Sequence, residues 1–460
     1  MFQRILIGNR GEVAVRIART AREMSIAPIG IASRADLCAG WLSAMEEVVC
    51  VGDPSPRESY LQAERIVQAA VQTGCSALHP GWGFLSENPR FAALCEQHGV
   101  TFIGPPAGVM RRMGLKTPAK MAMRNAGLPV IPGSDGLLAG VDEAVAQAAE
   151  IGFPVILKAD AGGGGRGMRR CSEPAELAEA FAAATAEAQA AFGNGKLYLE
   201  KYLTGGRHIE VQLLVDRFGK AVHLFERECS IQRNHQKLLE ESPSPALSPK
   251  ERAEIGAAAA RAAAAIGYVG AGTIEFLRDG DGKLYFMEMN TRLQVEHPVS
   301  EAITGIDIVK AQIRIAANER LELEQPRLAA KGCAIECRIN AEDPSQGFRP
   351  SPGKIAVLEI PKDKGPGTLR VDTHLAAGDE VSPYYDSLVA KVIAHAPARA
   401  GAIETMLRAL ASARIEGIAT TIPLHLEVLV SEEFRTGKYD TSRIPGASPA
   451  VARSAPPGRP

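Results

Sequence analysis

A run of glycines in the middle of the chain has the composition of a phosphate-binding loop. Residues 161–168 contain five glycines, and glycines let successive backbone N–H groups form a concave nest for an anion. The strand pattern before it, residues 154–158, ends on Lys158, and Lys116 is a second candidate cation. No Gly-Lys-Ser/Thr ending of a P-loop follows, and residues 168–171 are typical of another strand. We therefore predict a hairpin flap over nucleotide phosphates, and a glycine loop without a ligand is the alternative.

Two glutamates, Glu275 and Glu288, lie in neighbouring strand patterns that are joined by a short polar turn. If the turn is the favoured type I′ pair Asp281-Gly282, Glu275 faces Glu288 directly, with Cβ atoms about 5 Å apart. Two carboxylates in that position repel each other unless a cation lies between them, and Mg²⁺ bridged to phosphate oxygens is such a cation. A turn at Asp279-Gly280 places Glu275 opposite Leu284 and removes the pairing, so this interpretation depends on the register.

Polar side chains continue after Glu288 along one face of an extended segment. They are Asn290, Arg292, Gln294 and Glu296. The opposite face is apolar, which indicates that the segment is half buried, and it carries Met287, Met289, Leu293 and Val295. We predict a row of ligand-binding groups here, and a solvated polar strand face is the alternative.

The elements that must position these residues fall into three sections. From about residue 4 to residue 104, short apolar runs alternate with helical periodicity, which is typical of βα units and a mainly parallel sheet. The apolar runs are residues 5–7, 29–32, 48–51, 77–79 and 101–103, and the helical segments are residues 13–24, 60–73 and 89–98. The first turn, residues 8–12, lacks the G-x-G-x-x-G spacing, so we predict no dinucleotide-binding loop there.

Residues 111–327 change to hairpins and alanine-rich helices, a pattern that predicts an α+β domain with a mobile lid. The hairpins are residues 208–215 with 221–228 and residues 272–277 with 283–289, and the helices are residues 175–192 and 250–266. A third section begins near Lys331, with strand patterns at residues 334–340, 354–360 and 389–394 and an amphipathic helix at residues 399–415. The tail after Ser442 is rich in Pro, Gly, Ser and Ala, which predicts disorder.

Composition limits the possible functions. A chain of 460 residues is long enough for about two to four domains. Its formal net charge is -1, from 52 basic and 53 acidic side chains, so no overall attraction to nucleic acid or to an anionic membrane is expected. The eight cysteines form no Cys-x-x-Cys pair, and we interpret them as reduced core residues. We find no signal peptide or membrane span in the pattern, and a reducing cytoplasm or organelle matrix fits.

Several motifs occur in an order that resembles the biotin carboxylase family, from about residue 4 to residue 422. They are residues 9–12, 79–81, 83–88, 104–105, 116, 161–168, 200–203, 229–237, 288–298, 336–344 and 383–387. The resemblance implies a mixed α/β and α+β architecture, the ATP-grasp fold. It places an N-terminal Rossmann-like domain at residues 1–112, an ATP-grasp domain at 113–330 with a mobile lid at about 131–203, a C-terminal biotin carboxylase domain at 331–442 and a disordered tail at 443–460.

The resemblance also implies roles for individual residues. Around the nucleotide it places Lys116, Lys158, Gly163, Gly164, Gly165, Gly167, Met168, Glu200, Lys201, Leu203, His208, Gln232, His235 and Leu277. Magnesium or manganese is held by Glu275, Glu288 and Asn290. Bicarbonate is held by Lys237, Arg292, Gln294 and Val295, with Glu296 as its base, while Arg338 stabilises the biotin enolate and Trp82 lies close to biotin.

The implied activity is the carboxylation of biotin on a biotin carboxyl carrier protein, with ATP and bicarbonate, through carboxyphosphate. We expect a homodimer in the cytoplasm that works with carboxyltransferase subunits and has no nucleic acid or membrane partner. The expected setting is the first half-reaction of an acetyl-CoA carboxylase in fatty acid biosynthesis. Propionyl-CoA, pyruvate and urea carboxylase systems are the alternatives, because the acceptor is chosen by a carboxyltransferase outside this chain.

Three positions depart from the family pattern. Trp82 stands where many members have Tyr, which leaves the shape of the biotin pocket open, while Asn234 replaces a common Arg and Arg349 replaces a usual Leu. The biotin-bearing signature Ala-Met-Lys-Met is absent, and the similar residues 120–123 lie in a predicted helix. This chain is therefore expected to receive biotin from a separate carrier.

Two rival interpretations are open. Another ATP-grasp ligase would also use Lys116, the glycine loop and the glutamate pair. An inactive nucleotide-binding scaffold is a rival of a different class. Arg292, Glu296 and Arg338 favour bicarbonate and biotin over the first rival, and the presence of every charged residue that the chemistry needs disfavours the second.

Overall fold

The computed structural model of the chain describes residues 1–160, 167–361 and 365–447. It begins with a parallel sheet in the strand order β3-β2-β1-β4-β5. The elements are β1 (Arg4–Ile7), α1 (Gly11–Glu23), β2 (Ala27–Ser33), β3 (Glu47–Gly52), α2 (Ala63–Gln72), β4 (Ala77–His79), α3 (Pro89–Gln97) and β5 (Thr101–Phe102). Consecutive residues Ile5, Leu6 and Ile7 are all fully buried, because helices cover both faces of a parallel sheet. The predicted βα units are confirmed, although α2 begins three residues later than expected.

A smaller body follows, in the region that the sequence predicts as a lid. Two helices lead to it, α4 (Ala107–Met113) and α5 (Lys116–Asn125), and it contains α6 (Val141–Ile151), β6 (Val155–Ala159), β7 (Arg169–Cys171), α7 (Leu177–Phe192) and β8 (Leu197–Lys201). Its antiparallel sheet has the order β7-β6-β8, and it has apolar clusters of its own. The mobility of this lid stays a prediction. Six residues of the predicted anion nest, residues 161–166, which include Gly163, Gly164 and Gly165, lie outside the described residues.

One eight-stranded sheet forms the centre of the molecule, in the order β13-β12-β9-β10-β11-β14-β21-β19. Its last three strands are β14 (Cys333–Asn340), β21 (Leu388–Ala396) and β19 (Thr368–Thr373). The elements of its first half are β9 (Arg207–Val215), β10 (Ala221–Arg233), β11 (Gln236–Ser242), α8 (Pro249–Ala265), β12 (Gly270–Arg278), β13 (Leu284–Asn290), α9 (His297–Thr304) and α10 (Ile308–Ala316). Both predicted hairpins are confirmed. Strand β11 pairs with β14, so the sheet runs across residue 330, where the sequence suggests a domain boundary.

Alternation along β9 and β12 gives this sheet one apolar and one polar face. On the apolar face, Ile209, Val211, Ile274 and Phe276 are fully buried against α8 and the neighbouring helix α5. The side chains between them point the other way, into a cleft that the lid also borders. The central strands therefore present polar groups on a surface that a large core supports.

The last section completes the sheet and adds a helical layer. Its elements are β14 (Cys333–Asn340), β15 (Glu342–Asp343), β16 (Arg349–Pro350), β17 (Gly353–Lys354), β18 (Val357–Glu359), β19 (Thr368–Thr373), β20 (Glu380–Val381), β21 (Leu388–Ala396), α11 (Arg399–Ala411), β22 (Arg414–Glu416), α12 (Ile422–Val430) and α13 (Glu432–Thr436). One apolar cluster holds the β14 and β21 strands to α11 and α12. The cluster includes Ile444. Residues 443–447, the described part of the predicted tail, are therefore anchored to the C-terminal core through Ile444.

Two predicted elements of this section are wrong in extent. The strand expected at residues 354–360 divides into β17 and β18, which pair with different partners. The helix expected to reach residue 415 ends at Ala411, because Arg414–Glu416 pairs with β18 instead. Among the described residues, every helix is too short or too polar to span a lipid bilayer.

Candidate active site

Three glutamates lie in one row across the polar face of the central sheet. Glu275 on β12 pairs with Glu210 on β9 and with Glu288 on β13. His208 and Gln212 flank Glu210 on the same face of β9, since side chains alternate along a strand. The predicted pairing of Glu275 with Glu288 is confirmed.

The turn that produces this pairing differs from both sequence-based alternatives. Arg278 pairs with Leu284, and the N–H of Asp279 donates to the carbonyl of Lys283 at 2.9 Å, so the turn contains residues 280–282 and not a two-residue type I′ pair. A bulge next to Glu275 then shifts the register by one residue and brings Glu288 opposite it. The Asp281-Gly282 turn is wrong, although the pairing deduced from it is right.

Lys237 lies at the centre of the acidic groups. Its ammonium Nζ is 2.5 Å from Glu210 Oε2, 2.9 Å from Glu275 Oε1 and 2.5 Å from Glu296 Oε1. Burial lowers the pKa of Lys237, but the three carboxylates outweigh it and hold that pKa well above its ordinary value. Burial likewise tends to raise the pKa of Glu275 and of Glu296, and Lys237 with its neighbours holds both well below the ordinary value. Lys237, Glu275 and Glu296 are therefore charged groups in contact, whereas burial raises the pKa of Glu210, with Arg227 opposing.

The Glu296 carboxylate is fully buried and also contacts Arg338. The Arg338 guanidinium donates to Glu296 Oε2 at 2.9 Å and to Glu240 Oε1 at 2.6 Å. Burial raises the pKa of Glu240 to about 7, with Arg338 opposing that rise. Glu296 thus lies between two cations from different strands, Lys237 of β11 and Arg338 of β14.

The predicted polar row after β13 is brought together as expected. The Arg292 guanidinium donates to Asn290 Oδ1 at 2.8 Å and to Gln294 Oε1 at 2.7 Å, which places all three side chains on one side of the segment. It also donates to Glu87 Oε2 at 3.0 Å. Val295 is buried on the other side. A small anion at this row would meet a guanidinium, amides and the Lys237 ammonium.

The predicted metal ligands have the chemistry of a site for a hard divalent ion. Glu275 and Glu288 face each other. Burial is the larger cause that raises the pKa of Glu288, and repulsion from the Glu275 carboxylate is the second. Carboxylate oxygens are preferred by Mg²⁺ and Mn²⁺, and a cation between these two acids would relieve the repulsion. Asn290 donates its Nδ2 to Glu275 Oε1 at 2.8 Å. His208 approaches the same carboxylate, with Nε2 at 3.1 Å from Glu275 Oε2. The residues present therefore fit the ion.

The lid side of the cleft carries a second, smaller charge cluster. Lys158 Nζ is 2.6 Å from Glu200 Oε2, and Lys120 Nζ is 3.0 Å from Glu200 Oε1. Burial favours a higher pKa for Glu200, but the two lysines outweigh it and lower that pKa. Burial lowers the pKa of Lys116, with Glu288 opposing and Lys158 reinforcing the change. Lys116 therefore stands between the lid cluster and the metal-ligand pair.

The other predicted nucleotide residues are distributed around the cleft. Lys201 donates to the carbonyl oxygens of Gly152 and Phe153 at 3.0 and 2.9 Å, so its amine anchors lid backbone. Gln232 Nε2 is 2.7 Å from His208 Nδ1. Gly167, Met168, Leu203 and Leu277 are buried or half-buried, while His235 is exposed in the turn between β10 and β11. Trp82, which is predicted to lie close to biotin, is half-buried.

Several residues of the site were missed by the sequence analysis. The main ones are Glu87, Lys120, Glu210, Arg227 and Glu240. Arg227 is fully buried beneath Glu210, with Nε at 2.5 Å from Glu210 Oε1, and it also donates to Gln212 at 2.7 Å. The alternating pattern of residues 208–213 could have predicted that Glu210 lies on the polar face of its strand, beside His208 and Gln212. Arg227 and Glu240 gave no such signal, because their partners are distant in the sequence.

Comparison with known proteins places the chain in a family. Three family models match it: the biotin carboxylase N-terminal domain at residues 1–110, the ATP binding domain of the carbamoyl-phosphate synthase L chain at residues 116–324 and the biotin carboxylase C-terminal domain at residues 336–445. The chain is 51% identical over 441 residues to the chloroplastic biotin carboxylase of Arabidopsis thaliana, covering 96% of this chain and 82% of that one.

Relatives with other names are similar to nearly the same extent. The small subunit of 2-oxoglutarate carboxylase from Hydrogenobacter thermophilus is 49% identical over 441 residues, which cover 96% of this chain and 93% of that subunit. One pyruvate carboxylase subunit from Methanothermobacter thermautotrophicus is 47% identical over 441 residues, which cover 96% of this chain and 89% of its own length.

Two solved structures share the fold along the whole match. The biotin carboxylase domain dimer of the Hydrogenobacter thermophilus 2-oxoglutarate carboxylase, in complex with MgADP, ADP and bicarbonate, is 49% identical with a TM-score of 0.92 and covers 96% of each chain. A biotin carboxylase complex with β,γ-ATP from Campylobacter jejuni is 46% identical with a TM-score of 0.93 and covers 96% of this chain and 98% of that one.

Fold and comparisons together define an ATP-dependent ligase of the ATP-grasp class, built from a Rossmann-like domain, an ATP-grasp domain and a C-terminal domain. Within that class, the chain belongs to the biotin carboxylase family. The expected fold and enzyme class are confirmed.

Proposed function

We propose that this chain uses ATP and bicarbonate to carboxylate biotin on a biotin carboxyl carrier protein. The observation that carries the proposal is Glu296, a fully buried carboxylate between Lys237 and Arg338. Relatives support it, since a bicarbonate and MgADP complex is known for the Hydrogenobacter thermophilus domain.

Glu296 is the base that deprotonates bicarbonate. Lys237 and Arg338 hold the pKa of Glu296 well below its ordinary value, against the effect of burial. A bicarbonate ion that draws the Lys237 donors away from Glu296 leaves burial as the larger influence, and the pKa of Glu296 then rises. The base therefore gains proton affinity when its substrate arrives.

The anion itself is held by the row next to Glu296. Arg292 and Gln294 supply side-chain donors, Lys237 supplies an ammonium, and the backbone at Val295 closes the site. Charge-assisted hydrogen bonds of this kind are stronger than neutral ones and fix a planar anion in one orientation. Bicarbonate is thus positioned for attack.

The nucleotide lies between the central sheet and the lid. Lys116, Lys158, His208, Gly167 and Met168 surround its phosphates. The same role is expected of the glycines at 163–165, which lie outside the described residues. Glu200, Lys201, Leu203 and Leu277 line the adenine pocket, and Gln232 and His235 face the ribose. Glu275, Glu288 and Asn290 would hold magnesium or manganese, which would neutralise phosphate charge.

Deprotonated bicarbonate attacks the γ-phosphorus of ATP, the bond from that phosphorus to the bridging oxygen breaks, and ADP leaves as carboxyphosphate forms. This mixed anhydride decomposes to CO₂ and phosphate, and the phosphate accepts the proton of biotin N1. Arg338 then stabilises the ureido enolate that captures CO₂, near Trp82. Lid closure excludes water, which otherwise hydrolyses the intermediate.

The setting is the first half-reaction of an acetyl-CoA carboxylase in fatty acid biosynthesis, in the cytoplasm. The chain works as a homodimer with a carrier protein and carboxyltransferase subunits. A pyruvate or 2-oxoglutarate carboxylase is the alternative that specific relatives favour, because subunits with those names are 47% and 49% identical to this chain.

The activity is tested by ATP hydrolysis in the purified chain. We expect ADP release that requires bicarbonate and magnesium and that free biotin stimulates. ATP turnover that is indifferent to both bicarbonate and biotin contradicts the proposal. Capture of the biotinylated carrier and the transferase from the native cell then identifies the acceptor, and a transferase that carboxylates pyruvate or 2-oxoglutarate overturns the acetyl-CoA setting.

A further inference from the structure

A buried lysine lies behind the candidate base and has no part in the chemistry described above. Lys391, in the middle of β21, is fully buried. Its Nζ donates to the carbonyl oxygen of Val295 at 3.0 Å and lies 3.0 Å from Glu12 Oε1. Asp372 Oδ2 is at 4.0 Å. An ammonium without access to water destabilises the protein unless its hydrogen bonds and charge are satisfied. The contacts of Lys391 therefore indicate a specific structural role.

The contact with Val295 falls one residue before Glu296. The segment between the end of β13 at Asn290 and the start of α9 at His297 belongs to no strand or helix, so no ladder of backbone hydrogen bonds fixes it. Side chains do so instead, because His297 Nδ1 lies 2.8 Å from the carbonyl oxygen of Gln294 and Lys391 holds the next carbonyl.

Arg338, which contacts the Glu296 carboxylate, is the residue that pairs with Lys391 in the central sheet. Arg338 on β14 pairs directly with Lys391 on β21, and directly paired residues lie on one face, with Cβ atoms about 5 Å apart. Arg338 contacts the Glu296 carboxylate, while Lys391 contacts the backbone that precedes it. The position of the base is therefore determined from both ends by one pair of strands.

The counter-ion of Lys391 comes from the opposite end of the chain. Glu12 lies in α1 of the N-terminal domain, is buried, and belongs to the motif at residues 9–12, to which the proposed chemistry assigns no role. Within the described residues, the close polar partner of the Glu12 carboxylate is the Lys391 ammonium, 3.0 Å from Oε1, so Lys391 is its main compensation. Burial raises the pKa of Glu12, with Lys391 opposing.

We propose that Lys391 is a positioning residue for the base: it fixes the Val295 carbonyl and thereby the direction of the Glu296 carboxylate, and Glu12 holds Lys391 in place. This inference rests on the proposed function, since it assigns Lys391 a part in bicarbonate deprotonation. It also makes the docking of the N-terminal domain a condition for a correctly placed base.

The test compares the parent with Lys391→Met/Glu12→Gln, which removes both charges and leaves neither partner buried alone. We expect kcat for bicarbonate-dependent ATP hydrolysis to fall on the order of 10- to 100-fold, because small displacements of a catalytic group have effects of that size. KM for bicarbonate rises and KM for ATP changes by less than about twofold, since the nucleotide groups lie elsewhere.

Two controls separate positioning from general loss of structure. Glu12→Gln alone loosens Lys391 but leaves its ammonium able to contact Val295, so kcat is expected to fall by less than in the double variant, with KM for ATP within about twofold of the parental value. Arg399→Met/Glu241→Gln removes a partly buried ion pair between α11 and β11. It is expected to lower the unfolding midpoint, while KM for bicarbonate and KM for ATP change to the same extent.

The outcomes distinguish the two proposals. If the parent shows no bicarbonate-dependent turnover, the proposed function fails. If the parent is active and the double variant keeps its kcat and its KM for bicarbonate, the positioning role is overturned. Should the double variant not fold, Lys391→Arg retains the charge beside Glu12 but moves the donor away from Val295. A lower kcat with unchanged KM for ATP supports the inference, and a parental kcat overturns it.

Discussion

The two sides of the cleft are built differently. On the sheet side, Lys237, Glu275, Glu296 and Arg338 hold one another in contacts of 2.5 to 2.9 Å, and strands of one continuous sheet carry three of them. On the lid side, Glu200 and Lys158 belong to a three-stranded sheet with small apolar clusters of its own, and Lys120 reaches Glu200 from α5. The difference indicates that one continuous sheet fixes most of the groups proposed for proton transfer, whereas the proposed nucleotide contacts also depend on how the lid packs.

The largest effect is expected from the sheet side. Glu296→Gln keeps the shape of the side chain but removes its basicity, so turnover falls by about 10²- to 10⁴-fold, the usual contribution of a general base. Nucleotide affinity stays near the parental value because the lid is untouched. Steady-state ATP hydrolysis and equilibrium binding of ADP measure the two quantities. Equal turnover of variant and parent would show that another group acts as base.

Core truncations sharpen the comparison between the two bodies. Ile274→Ala, beneath Glu275, is expected to lower the global free energy of unfolding by about 2–5 kcal/mol. Leu157→Ala in the lid removes a side chain that is equally buried, but we expect its effect on amide exchange to be confined to the lid, since the lid cluster shares no residue with the central core. Urea unfolding and hydrogen exchange test this pair. A similar loss of global stability in both variants would contradict a separate lid.

Much of the fold was predictable because it follows local patterns. The strands and helices of the first sheet and both central hairpins appear where the apolar periodicity places them. Elements whose extent depends on distant partners were misjudged, as at Arg414–Glu416, where pairing with β18 ends the preceding helix. The continuity of the central sheet across residue 330 was invisible for the same reason.

The candidate site shows the same limit. Glu275 and Glu288 were paired correctly from the turn, but through the wrong turn type, because a bulge cannot be read from residue composition. Arg227, Glu240 and Lys391 looked like ordinary strand residues. Their importance comes from contacts with Glu210, Arg338 and Val295, which are 17, 98 and 96 residues away.

A change on the lid side is expected to act on nucleotide binding alone. Lys158→Met removes the cation that faces Glu200 and the predicted phosphates, and a hydrogen bond to a charged group contributes about 1.5–3 kcal/mol. We therefore expect KM for ATP to rise at least about tenfold, with kcat at saturating ATP nearly unchanged. Lys196→Met, which removes an exposed lysine of the same body, is the matched control. A fall in kcat without a change in KM for ATP would contradict the assignment of nucleotide binding to the lid side and of catalysis to the sheet side.

Helix capping gives a smaller contrast. Ser248 and Glu251 form a reciprocal capping box at α8, which packs under the central sheet. Hydrogen bonds from the Ser248 side chain and backbone lower the pKa of Glu251 to about 2. The stabilisation by the Glu251 carboxylate is therefore complete above about pH 4.5 and is lost as the pH falls towards 2. Ser248→Ala is expected to lower the free energy of unfolding by about 1 kcal/mol at pH 7, measured by urea denaturation. An unchanged midpoint would show that the box contributes nothing.

The smallest effect is a gain on the lid side. Helix α6 begins after Gly140, whose backbone is extended and which supplies no side-chain cap. A Cβ at Gly140 meets open space, so Gly140→Ser can cap α6 without strain, and serine adds no charge beside Asp142 and Glu143. We expect a few tenths of a kcal/mol of added protection against amide exchange in α6 and an unchanged global midpoint. Gly136→Ser, at another open position outside a helix cap, is the control. Equal protection in both variants would mean that capping does not limit the stability of the lid.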